Sequence, residues 1–164
     1  MRKTTLAFLS LSLALVAGSA QSETVRYPSA GGPALSIDAP KGWTHKPLDP
    51  ARKLEALVLT SPAHVEVAII ILPHVGSPED YAKQMSEFSH LEMRNAGPAE
   101  LLGRHGFMFD SAFPNGGAMF DIHVVQVPLD PLHLLLVRLQ SPKGASSSQI
   151  DEGRRVVKSI KLVR

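Results

Sequence analysis

Cysteine is absent from this 164-residue chain, which excludes disulfides, thiolate chemistry and cysteine-ligated zinc. It also excludes the lipid-bearing cysteine that anchors bacterial lipoproteins behind their leader. Aromatic residues make up only 5%, with Trp43 the sole tryptophan, so the core must be built mainly from aliphatic side chains. No apolar run after Ala17 approaches the roughly 20 residues of a membrane-spanning helix. Glycine never precedes lysine, which removes the phosphate loop, and neither Gly-x-Ser-x-Gly nor His-Glu-x-x-His occurs. No local set of residues specifies a reaction, and the chain reads as a non-enzyme.

What is present begins at the N-terminus. Arg2 and Lys3 precede an apolar run from Leu6 to Ala17 and the small residues Gly18-Ser19-Ala20. That order of charge, apolar stretch and small residues predicts a secretory signal peptide over residues 1–20, cleaved after Ala20. An exported, freely diffusing periplasmic protein is the expectation, with no transmembrane segment in the mature chain. Two of the 17 basic residues and none of the 15 acidic ones lie in this leader, so the mature chain carries 15 of each. The overall pI near 9.0 therefore overstates the basicity of the working protein, and a nucleic-acid partner loses its support.

From Gln21 to Pro33 the breakers of Tyr27-Pro28-Ser29-Ala30-Gly31-Gly32-Pro33 predict a flexible leader, with one domain over residues 34–164. Leu35 and Ile37 alternate with Ser36 and Asp38 as in a half-buried strand, before Pro40-Lys41-Gly42 turns the chain into Trp43. Leu54–Thr60 and Val65–Leu72 read as strands, the second covered on both faces. Ser77-Pro78-Glu79-Asp80 opens a helix with a capping serine, a proline in the first turn and two carboxylates at the positive end of the dipole. Tyr81, Met85, Phe88 and Leu91 form its apolar stripe. Asn95-Ala96-Gly97-Pro98 is expected to end it after about 18 residues.

Ala99–Leu102, Phe107–Phe113 and Ala118–Val127 follow as strands, the last two joined through Asn115-Gly116, a strong hairpin signal. A two-residue turn there pairs Phe113 with Ala118, Phe109 with Ile122 and Asp110 with Asp121. After a turn over Pro128–Pro131, the apolar run Leu132–Leu139 belongs at the sheet centre. Ser146-Ser147-Ser148 caps a last helix whose buried side is Ile150, Val156, Val157 and Ile160.

This order covers Ala34 to Val163. With Leu35-Ser36-Ile37-Asp38-Ala39-Pro40-Lys41-Gly42-Trp43 at its start and Ser159-Ile160-Lys161-Leu162 at its end, it resembles the PsbP-like superfamily, whose bacterial members include DcrB-type periplasmic proteins. The resemblance implies an α/β (α+β) domain, an antiparallel sheet with helices on its faces. It also implies a role in binding proteins or assisting assemblies, with no shared catalytic set to carry over.

Four features could carry chemistry. Asp110, Asp121 and His123 share one face of the predicted hairpin, and two carboxylates with an imidazole suit a divalent metal. Alternatively the aspartates sit at a wet hairpin end and ignore each other. The seven histidines lack the spacing of paired ligands on a helix and read as scattered surface residues, although His64 and Glu66 would share a strand face. Arg154, Lys158 and Lys161, with Arg155 and Arg164 nearby, form the one local cationic cluster, either a patch for an acidic partner or the solvated side of a helix. Trp43 reads as a buried anchor.

The functional expectation is an exported, non-catalytic protein-binding or assembly accessory module, its partner another periplasmic or envelope protein. An immunity-type inhibitor of an envelope-targeted toxin, a divalent-metal-binding protein and an unrecognised hydrolase are the alternatives. No cofactor is expected beyond that metal.

Overall fold

The structure is a computed structural model and describes residues 22–28, 34–47, 55–73 and 76–163. The stretch read as a signal peptide, residues 1–20, lies outside the described residues. Among the described residues ten strands and two helices follow one another: β1 (Glu23–Tyr27), β2 (Leu35–Ala39), β3 (Thr44–Pro47), β4 (Glu55–Thr60), β5 (Glu66–Pro73), α1 (Pro78–Ser89), β6 (Arg94–Leu101), β7 (Arg104–Asn115), β8 (Ala118–Asp130), β9 (His133–Pro142), α2 (Ser147–Ser159) and β10 (Lys161–Leu162).

Strands β3-β4-β5-β9-β8-β7-β6 form a seven-stranded antiparallel sheet, and β1-β2-β10 a smaller one. The apolar run expected at the sheet centre is β9, the fourth of those seven strands. Because successive side chains alternate across a sheet, β9 feeds two cores. Leu134 and Leu136 face α1 together with Phe109, Ile122 and Val124. Leu135, Val137 and Leu139 face the small sheet and α2, packing with Leu35, Ile37, Trp43, Val156 and Ile160. Fully burying each such aliphatic side chain stabilises the fold by about 1.5–3 kcal/mol. The domain is thus an antiparallel sheet with helices on both faces, as expected.

Several local expectations change. A strand, β1, lies inside the stretch read as a flexible leader, and its five residues pair along β2 from Glu23↔Ala39 to Tyr27↔Leu35. Val25 explains this, since it inserts into the larger core despite the breakers that follow. Helix α1 stops at Ser89, well before Asn95. His90 takes the left-handed conformation (φ 53°), and the Leu91 amide donates to the Ser86 carbonyl at 2.9 Å, closing the helix end. The residues beyond are taken by β6, an edge strand where Pro98 loses no ladder bond that matters.

Phe88 is 90% exposed, whereas Tyr81, Met85 and Leu91 pack on the sheet and Ala82 and Ser86 are buried. At 100° per residue, Phe88 lies roughly 120° around the helix from Ala82 and points off the sheet.

The β7–β8 hairpin is slipped by two residues from the expected register. Its turn residues are Gly116 and Gly117, at φ 57° and 83°, and Asn115 pairs with Ala118. A two-residue turn with positive φ at both centres is least strained with two glycines, so Asn115 remains in the strand. Slippage by two keeps every side chain on its face. Phe109 stays inside, opposite Val124 and fully buried. The preceding turn is Leu102-Gly103, tighter than the four residues Gly103–Gly106 expected.

Candidate functional site

Between α2 and strands β6 to β9 lies a groove of about 630 Å3. Its floor is the face of the sheet that also packs on the small sheet, and here it presents Val125 and Leu139. Helix α2 supplies one wall through Ile150, Arg154, Val157 and Lys158. The helix is pinned by a complete capping box: Ser146 Oγ accepts from the Gln149 amide, and the Gln149 side chain accepts from the Ser146 amide at 2.9 Å. Gly153 lets it approach the sheet closely, since a Cβ there would come within 2.5 Å of Leu139 Cδ1.

Of the three residues expected to form a metal site, Asp110 and His123 come together. In the observed register Asp110 pairs with His123, and their Oδ1 and Nδ1 share a hydrogen bond of 2.6 Å. Asn95 Nδ2 donates to the other carboxylate oxygen at 2.9 Å. Partial burial pushes the Asp110 carboxyl up. The hydrogen bonds from Asn95 and His123, with the charges of His123 and Arg94, outweigh that and hold it below the usual carboxylate range. Asp121 is exposed and pairs with Ala112, one register step from the dyad. Among the described residues no three His, Asp or Glu side chains are arranged to hold a metal ion. Asp110 has already committed both oxygens within the protein, so the arrangement is an oriented imidazole at the groove edge.

Other sequence candidates fall elsewhere. His64 sits in a turn with φ 60°, off the strand that carries Glu66, so the two do not share a strand face. His133 bonds both Asp130 oxygens, at 2.9 and 2.8 Å, and Asp130 also accepts from the Leu132 amide, which knits the β8–β9 turn. Trp43 is buried at 8% exposure in the larger core, as an anchor should be. Lys161 belongs to β10, which detaches it from the Arg154 and Lys158 helical pair. Arg94 and Asn95 are the site residues that sequence reasoning missed, because they were assigned to the end of α1. The exposed Asn-Gly-Pro composition there was read as a helix stop, when it also suits an irregular edge strand.

The chain matches no family model and no curated protein. Its architecture has solved counterparts. LpqN, described as involved in cell envelope biogenesis of Mycobacterium tuberculosis, is similar at a TM-score of 0.60 and 12% identity over 88% of this chain and 91% of its own. A Bacteroides thetaiotaomicron structure is similar at 0.54 and 13% over 79% of this chain and 45% of its own. Cyanobacterial PsbP (CyanoP) from Synechocystis sp. PCC 6803 is similar at 0.58 and 14%, covering 90% and 96%. The fold is PsbP-like. In this PsbP-like frame the groove lies on the α2 side of the large sheet, where two layers of cover leave part of the floor open. No helix among the described residues is long and apolar enough to cross a membrane.

Proposed function

We propose that the chain is an exported, non-catalytic accessory module that binds another periplasmic or envelope protein through the groove between α2 and β6 to β9. The observation that carries this reading is the groove itself, an open depression of about 630 Å3 with apolar floor and charged rims on a rigid sheet. The His123–Asp110 pair sets an oriented imidazole at the groove edge, a polar contact that a bound partner could use. Export rests on the leader of residues 1–20, and the likeness to LpqN, an envelope-biogenesis protein by its description, fits an envelope setting.

Site-specific photocrosslinking in the periplasm tests the proposal. A photoreactive residue replaces Lys158 at the groove, and in a second strain Lys83 on α1. One dominant protein adduct from position 158, absent from position 83, is the expected result. No adduct from 158, or the same adducts from both positions, overturns it.

A further inference from the structure

The charges around the groove are arranged unevenly. Arg154 and Lys158, four residues apart on α2, line both the groove and a second depression on the outer side of the helix, where Arg155 joins them. The two depressions thus flank one cationic stretch of α2, and the larger has Val125 and Leu139 in its floor. Arg154 is bonded to Asp151 at 2.9 Å with both side chains largely exposed, while among the described residues Arg155 and Lys158 make no ion pair. Across the floor the rim is mixed: Glu100 and Asp121 are exposed acids, Arg94 is an exposed cation, and Asp110 and His123 also line the groove.

The floor has a length as well as a charge. It crosses β9, β8, β7 and β6, neighbours in that order, which at about 4.8 Å per strand spacing is roughly 14 Å. Four or five residues of extended chain cover that distance. Resting on the proposed binding role, we infer that the groove takes an extended peptide segment, acidic where it crosses α2, apolar where it lies over β9 and β8, and polar beyond them over β7 and β6. Carboxylates at one end meet Arg154, Arg155 and Lys158, and the following side chains cover Val125, Leu139 and Val157. An anionic membrane fits less well, because a broad negative surface would also face Glu100, Asp121 and Asp151, which line the two depressions. A discrete segment puts negative charge only where the cations are.

Panning a mixed-sequence peptide library against the full-length mature protein and against an Arg154→Glu/Lys158→Glu variant tests this. Both substituted positions are exposed, so the fold should tolerate the change, and circular dichroism checks it. The wild type should enrich sequences that combine Asp or Glu with a run of apolar residues. The reversed variant should bind those at least tenfold more weakly and enrich Lys or Arg in their place. Enrichment indifferent to the reversal overturns the inference, as does tighter sedimentation with phosphatidylglycerol vesicles than any selected peptide achieves. A clean adduct at position 158 alongside charge-indifferent panning sinks only the peptide chemistry. Loss of the adduct sinks the binding reading itself.

Discussion

Gly106 shows how closely the strands constrain single residues. A Cβ placed there would lie 1.9 Å from the Gln126 carbonyl oxygen and 2.7 Å from Val127 Cγ1, so β7 and β8 can pair only if this position has no side chain. The backbone carbonyl cannot swing away without breaking its ladder. Gly106→Ala should therefore cost about 3 kcal/mol, the upper part of the overpacking range, and lower the melting midpoint by roughly 10 °C. An unchanged midpoint would show that the two strands are more loosely paired than this. Asp110 gives a prediction in pH. Its carboxyl lies below the ordinary range in the folded protein, so its contribution to stability is present above the unfolded value of about 3.9 and is lost as pH falls through the lower folded value. Denaturant midpoints measured from pH 6 down to pH 2 should fall less steeply for Asp110→Asn than for the wild type below about pH 4. Identical slopes would mean that Asn95 and His123 do not favour its charge.

At the scale of elements, the caps decide where helices begin and the left-handed positions decide where they end. Ser146 holds the first turn of α2 through its capping box, and Ser146→Ala should cost about 1 kcal/mol in chemical denaturation. A loss under a few tenths would show that packing of Val156 and Ile160 alone fixes the start of α2. Both helix starts were legible in the sequence because Ser77 and Ser146 carry local signals that no distant contact overrides. The end of α1 was not, because two stop signals compete. His90 takes up the left-handed position earlier, and Asn95 to Pro98 are then drawn into β6 by pairing with β7, a contact that no window of sequence contains. The hairpin slip has the same origin. Asn115-Gly116 is a good turn and Gly116-Gly117 a less strained one, and the ladder from Phe107↔Gln126 to Asn115↔Ala118 settles the choice. Because slippage by two preserves faces, the apolar interior and the Asp110–His123 side of the hairpin were readable even with the register wrong. The groove was not readable, since it needs α2, β6 and β9 together.

The described residues form two cores that share one sheet, which predicts a single cooperative transition. Phe109 belongs to the core under α1 and is fully buried, whereas Trp43 belongs to the core under the small sheet and α2. Phe109→Ala should cost about 3–5 kcal/mol through the cavity it leaves. Strands β5, β8 and β9 contribute to both cores, so Trp43 fluorescence should report the same lowered midpoint as far-ultraviolet circular dichroism. Separated transitions would mean that the two sides melt independently. The small sheet adds a consequence for timing. Strand β2 is flanked by β1, which comes before it in the chain, and by β10, almost the last residues, with the Val163 amide bonded to the Ala34 carbonyl at 2.8 Å. During synthesis the ribosome releases β2 long before its second neighbour exists, and β5 likewise waits for β9. Closure of the small sheet thus waits until α2 and β10 have been made, and so distant a pairing closes slowly.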